Sequence, residues 1–226
     1  MNISIKTHLF LTATFVPLGV SADAKQDLRA HYEYVCAEKS DINEHISILH
    51  DLCSECTSVT EIGIRDVVST WGCIQGLIEN GLGYGSYLGI DIATPPAHTL
   101  DKITNLAKAN GINFNVLKAD DMTIQLPVTD LLFIDSLHTY CHLTYELEHF
   151  CSAVGKYIAM HDTSDPWGNS DDLSYLGDYS EYPVEYDRTK KGLWPAVEDF
   201  LARHPEWRLK ERRYNNHGFT VLERIY

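Results

Sequence analysis

Five short polar clusters interrupt the apolar stretches of this chain: Glu61-Ile62-Gly63, Asp91, Asp120-Asp121, Asp135-Ser136-Leu137-His138 and His161-Asp162-Thr163. Carboxylates accept hydrogen bonds and balance positive charge, and imidazole exchanges protons near neutral pH. Asp91 is placed to accept both hydroxyls of a ribose. Gly63 lets backbone approach a ligand closely, and Ser69 opens a helix whose N-terminus favours a carboxylate or phosphate. Taken singly, each acidic residue is an ordinary solvated loop residue, Gly63 an ordinary turn and His138 a surface or capping histidine. Their placement separates them from that reading, because each cluster ends an apolar run and the runs follow one another along the chain.

Those runs are short enough to be strands. Residues 59–63, 87–92, 113–119, 131–134 and 157–161 read as strands, and 131–134 is apolar on both faces, as buried parallel strands are. Between them, apolar residues at helical spacing predict helices over 41–55, 69–80, 99–110, 140–153 and 191–203. Asp41 with Glu44 reads as a capping box for the first, and Gly111 as the stop after the third. Residues 207–214 and 218–225 read as two strands joined by Asn215-Asn216-His217-Gly218, a hairpin signal that adds one antiparallel strand. Strand alternating with helix predicts an α/β fold, a doubly wound and mostly parallel sheet with helices on both faces. Ligands in such sheets sit beyond the carboxyl ends of the strands, where all five clusters fall. Residues 164–190 are acidic and hold Trp167, Tyr175, Tyr179, Tyr182 and Tyr186. A loop this long is functional or mobile more often than a plain connection, and it is expected as a substrate lid. His45 and His50 lie five apart on the first predicted helix, off one face, and read as structural or solvated.

The composition bounds the function. The chain has 226 residues, 44% hydrophobic and 22% charged, which excludes disordered and collagen-like classes and suffices for one buried core. Its 18 basic and 32 acidic residues give a net charge of −14, so nucleic acid and anionic membrane surfaces are not expected partners. Cys36, Cys53, Cys56, Cys73, Cys141 and Cys151 read as reduced thiols, since Cys53-x-x-Cys56 has no second pair to complete a zinc site. That suits an intracellular chain. Residues 8–20, preceded by Lys6 and followed by Ala22-Asp23-Ala24, offer a competing signal-like reading; the others are a packed segment or the stub of a preceding domain. The expected organisation is an N-terminal extension over 1–40 and one domain over 41–226.

Glu61-x-Gly63-x-Arg65-x-x-x-Ser69, then Asp91, then Asp135-x-x-His138, then His161-Asp162-Thr163 together resemble the class I S-adenosylmethionine-dependent methyltransferases. More narrowly they resemble the cation-dependent O-methyltransferase branch, which includes catechol-type and sugar O-methyltransferases. The resemblance covers about residues 41–226 and implies a Rossmann-like sheet. It implies that Glu61, Gly63, Arg65 and Ser69 hold the methionine part of the cofactor, with Ser69 near its carboxylate. It implies that Asp91 binds the ribose hydroxyls and that Asp120 lies near the adenine. Asp135 matches the family's first metal-binding aspartate and also borders the cofactor; Asp162 matches a second ligand, and His138 the general base. Two positions depart from the pattern: Val67 stands where many members carry a second glycine, and His161 where the family usually has an acidic ligand. Imidazole favours softer ions than Mg²⁺, so Mn²⁺ is a second candidate at Asp135, His161 and Asp162.

The expected reaction is methyl transfer to a hydroxyl, with His138 and Asp135 as catalytic residues. The aromatic, acidic loop suits a sugar or glycan acceptor such as a deoxyhexose, and would also suit a phenol. A nicotinamide oxidoreductase is the competing enzyme class, disfavoured because the first turn lacks GxGxxG. A non-catalytic binding domain on the same sheet is the third reading.

Overall fold

A computed structural model describes residues 22–174, 182–183 and 185–225. In chain order its elements are α1 (Ala22–Ala37), α2 (Ile46–Ser54), β1 (Ser58–Ile62), α3 (Val68–Glu79), β2 (Gly85–Asp91) and α4 (Ala97–Ala109). There follow β3 (Ile112–Lys118), β4 (Thr129–Ile134), α5 (Tyr140–Phe150), β5 (Val154–His161), α6 (Leu193–Arg203), β6 (Trp207–Arg213) and β7 (Phe219–Arg224). Single 3₁₀ turns lie at Asn43–His45, Asp121–Thr123 and Cys151–Ala153.

The strands form one sheet in the order β3-β2-β1-β4-β5-β7-β6. The first five are parallel; β7 runs antiparallel to β5, and β6 antiparallel to β7. Both hairpin strands join the sheet as the expected C-terminal antiparallel hairpin, with β7 the strand that runs against the others. Composition explains the order of insertion. Residues 219–222 of β7 are buried on both faces beside β5, whereas β6 carries Arg208, Lys210, Glu211, Arg212 and Arg213 and suits an edge.

Two-residue alternation splits the core. Leu131 and Phe133 of β4 pack with residues of α1, α2, α3 and α4. Leu132 and Ile134 pack with residues of α5 and α6 on the other face. The chain reverses its direction of winding between β1 and β4, so a crevice opens at their carboxyl ends.

Three local outcomes differ from expectation. The helix expected over 41–55 begins at Ile46, after a 3₁₀ turn. The capping box is not formed: Ser40 Oγ accepts the Asn43 N–H at 3.0 Å, and Asp41 instead pairs with Arg65 at 2.8 Å. The packed unit also starts earlier than residue 41. Leu28 and Val35 of α1 are buried in the core, and the Asn110 side chain donates to the Ala24 carbonyl at 3.2 Å. Residues 8–20, which carry the signal-like and packed-segment readings, lie outside the described residues. Among the described residues no helix is long and apolar enough to cross a membrane.

Candidate active site

The end of β1 is shaped by packing. Gly63 has φ +83°, and a Cβ there would lie 2.0 Å from the Asp135 carbonyl oxygen. Glycine is thus required where the end of β1 crosses the end of β4, and not only for approach to a ligand. Val67, at the position of the missing second glycine, keeps a left-handed backbone with φ 60° and is fully buried. A β-branched residue there is strained, and its burial offsets the strain.

Glu61 lies beneath this turn with no exposed surface. Its carboxylate accepts hydrogen bonds from Ser69 Oγ, from Tyr87 Oη and, at 2.9 Å, from Thr70 Oγ1. Burial pushes its pKa up to about 7 against those hydrogen bonds. Glu61 and the Ser69 hydroxyl therefore face each other and tie α3 to β1 and β2. Asp91 closes β2. It accepts the N–H groups of Ile64 at 3.0 Å, Arg65 at 2.9 Å and Ala93 at 2.7 Å. Its carboxylate holds the glycine turn in shape and keeps part of its acceptor capacity for a further partner. The Arg65 side chain is exposed and bound to Asp41. Asp120 is exposed and caps the 3₁₀ turn after β3, accepting the Met122 N–H at 2.9 Å.

The remaining four predicted residues converge. His138 Nε2 lies 3.0 Å from Asp162 Oδ2 and 3.5 Å from Asp135 Oδ1. His161 Nδ1 lies 3.5 Å from the same two oxygens. Asp135 and His138 leave β4 through a loop that ends where Thr139 caps α5. His161 is the last residue of β5, and successive strand side chains point to opposite faces. Asp162 escapes that rule because the strand has ended: its φ is 58°, which brings its carboxylate to the side of His161.

The electrostatics follow from burial and pairing. Burial would lower both histidine pKa values. Pairing with the carboxylates of Asp135 and Asp162 outweighs it at His138, raising that pKa to about 9. At His161 the charge of Asp135 leads the opposing effects, and the pKa rises to about 10. The same pairs overcome the upward push of burial on the acids, taking Asp162 down to about 2 and Asp135 well below the usual carboxylate range. His138 was expected as a base near neutral pKa; between these carboxylates its ring is an imidazolium at pH 7.

Three further groups border this site, and the first of them escaped sequence reasoning. The Asn216 backbone carbonyl accepts from His161 Nε2 at 3.1 Å, which turns Nδ1 toward the carboxylates. The hairpin motif signalled the turn but not this contact, since a carbonyl carries no residue signature. His45 is fully buried in its 3₁₀ turn with its ring 5.6 Å from His161; burial, then the His161 charge, lowers its pKa to about 4. It is structural, as expected, but it backs the site. Trp167 lies with its ring centroid 6.0 Å from that of His138 at 28°. The described part of the loop is anchored here, with the Asp172 N–H donating to the His138 carbonyl at 2.8 Å. Of its tyrosines, Tyr182 is buried with its hydroxyl 3.0 Å from His142 Nδ1, while Tyr175 and Tyr179 lie outside the described residues.

The donor set of two carboxylates and one imidazole fits a divalent cation. His138 Nε2 is buried and makes no aligned hydrogen bond among the described residues, although it lies 3.0 Å from Asp162. Asp135, His161 and Asp162 each offer a ligand atom within 4.8 Å of the others.

No protein-family model and no curated protein matches the chain. Solved structures do match its shape. The SAH-bound Podospora anserina methyltransferase PaMTH1 is 13% identical, covers 95% of this chain and 100% of its own, and superposes with a TM-score of 0.52. Cofactor-bound Rv0187 from MTB is 16% identical over 91% of each chain, with a TM-score of 0.53. The O-methyltransferase from Bacillus cereus in complex with SAH is 12% identical over 92% of this chain and 93% of its own, with a TM-score of 0.51. At such identities the likeness is one of architecture, and the chain has the Rossmann-like fold that these methyltransferase structures share.

Proposed function

We propose that this protein is an S-adenosylmethionine-dependent O-methyltransferase whose acceptor is a hydroxyl of a sugar or glycan. The observation that carries the reading is the convergence of Asp135, His138, His161 and Asp162 at the carboxyl ends of β4 and β5, on a sheet with methyltransferase strand order. Methyl transfer to oxygen is an in-line displacement, so the chain must align the acceptor and remove its proton. Asp91 and the glycine turn would take the cofactor's ribose, and the amino end of α3 its carboxylate, a reading supported by their adjacency at the end of β1. Gly63 keeps β1 and β4 in contact, so that the cofactor and acceptor halves of the site adjoin.

Asp135, His161 and Asp162 would hold a divalent cation, with Mn²⁺ suited better than Mg²⁺ by the imidazole. A cation held there would supply Lewis-acid polarisation of the acceptor hydroxyl. His138, in its neutral form, takes the proton of the acceptor hydroxyl. Asp162 and Asp135 orient its ring, and Trp167 gives an apolar face beside it. That face, with acidic neighbours able to accept hydroxyl protons, suits a sugar and would also suit a phenol.

The test is methyl transfer measured for His138→Ala and Asp135→Ala with a panel of reducing sugars, glycosides and catechols. Both variants are expected to lose about two orders of magnitude or more in rate. Near-normal rates in both would overturn the assignment, and turnover confined to catechols would replace the sugar by a phenol.

A further inference from the structure

A second group of metal-type ligands lies apart from the Asp135 site and shares no residue with it. α5 carries His142 and Glu146 four residues apart, hence on one helical face. Asp121, in the 3₁₀ turn after β3, meets them there. Asp121 Oδ2 is 2.9 Å from His142 Nε2, and Glu146 Oε1 is 3.8 Å from the same nitrogen. All three are buried, and Glu146 has no exposed surface at all.

The group is unfinished as it stands. Asp121 Oδ2 and Glu146 Oε2 find no hydrogen-bond partner among the described residues. The Asp121 oxygen lacks one despite its short separation from His142, so the ring N–H direction does not run along that contact. Two buried carboxylates this close cannot both carry charge without a proton or a cation between them. The surroundings are those that orient ligands. Tyr182 Oη is 3.0 Å from His142 Nδ1, and Ser136 Oγ donates to Glu146 Oε1 at 2.7 Å. With Nδ1–H given to the tyrosine oxygen, the Nε2 lone pair is left for an ion.

We propose that Asp121, His142 and Glu146 form a buried, structural divalent-cation site of zinc type. One imidazole and two carboxylates suit Zn²⁺, whose tetrahedral ligands at 2.0–2.1 Å stand about 3.3 Å apart. The separations of 2.9 and 3.8 Å bracket that value. Ser136 directly follows Asp135 in the chain, so an ion here braces the loop that carries Asp135 and His138. The site does not depend on the methyltransferase reading, and its test needs no turnover.

The experiment is zinc stoichiometry by elemental analysis and native mass spectrometry, on full-length protein loaded with Zn²⁺ and passed over a weak chelator. To silence the other cluster, the background carries Asp135→Asn and Asp162→Asn. This background protein is expected to keep about one zinc per chain, and adding Glu146→Gln to reduce it at least tenfold, with loss of the rise in melting temperature that zinc produces. A background protein that holds no zinc, or a Glu146→Gln variant that holds as much, overturns the site. Should Glu146→Gln fail to fold, X-ray absorption on the zinc-loaded background protein decides. A first shell of nitrogen and oxygen with one imidazole supports the site; sulfur in that shell assigns the ion to cysteine and overturns it.

Discussion

His138 stands between two carboxylates, and that position explains both its orientation and its charge. A histidine alone at the end of a strand titrates near its ordinary value. Here Asp135 and Asp162 reverse the effect of burial and raise the pKa to about 9. On the neighbouring strand, Glu61 shows the opposite balance, because its partners are neutral hydroxyls and burial wins. Its folded pKa of about 7 exceeds the ordinary 4.5, so between those values the folded state holds the proton longer than the unfolded chain. Stability contributed by this group is therefore present below pH 4.5 and lost as pH rises toward 7. The loss across the window is about 3 kcal/mol. Urea denaturation of wild type and Glu61→Gln at pH 4.5, 6 and 7.5 checks this. The wild type should lose stability relative to the variant as pH rises, and a flat difference would show that Glu61 is ionised throughout.

At the scale of elements, the site depends on where β5 stops and on what the β6–β7 turn brings to it. The turn at Asn215-Asn216-His217-Gly218 has left-handed backbone at Asn216 (φ 46°), His217 (φ 66°) and Gly218 (φ 96°). A Cβ on Gly218 would come within 2.5 Å of the Ser164 nitrogen, just past Asp162. Asn216 contributes its carbonyl to His161, a backbone atom indifferent to side chain. Two substitutions in one turn are thus expected to part company. Gly218→Ala should cost about 2 kcal/mol or more and lower metal affinity, because the turn and the β5 end must shift. Asn216→Gly accepts the backbone and keeps the carbonyl, so affinity should stay within about threefold of wild type. Denaturation midpoints and metal titration read both; equal losses in the two would mean that the Asn216 side chain carries the effect.

For the molecule as a whole, the −14 charge is only partly a surface property. Glu61, Asp121, Asp135, Glu146 and Asp162 are buried or nearly so beneath the carboxyl edge of the sheet, among histidines and hydroxyls. The carboxylate oxygens gathered at that edge suit a sulfonium cofactor and cations. S-adenosylhomocysteine at 100 times its dissociation constant should stabilise the fold by about 2.7 kcal/mol, a rise in melting temperature of about 5–10 °C. NAD at the same concentration should give none. A shift with NAD and none with S-adenosylhomocysteine would move the protein to the oxidoreductase class, and a shift with neither to the binding domains.

Much of this architecture was legible before any coordinates. Apolar runs separated by helical periodicity determined the parallel sheet, and the polar residues that end those runs had to meet along one edge. Asp135, His138, His161 and Asp162 were therefore readable as neighbours from sequence alone, and Asn215–Gly218 as a turn. Only the tertiary structure decided which side chains face the crevice and which face inward. Glu61 with Ser69, and Asp91 with the turn amides, look alike in sequence, yet one pair is sealed under α3 and the other lies at the open edge. The Asp121–His142–Glu146 group spans 26 residues, and the Asn216 carbonyl is 55 residues from His161. Local periodicity reports which face of an element is apolar; it does not report which polar atoms from distant elements close on one another, because packing across the sheet sets those distances.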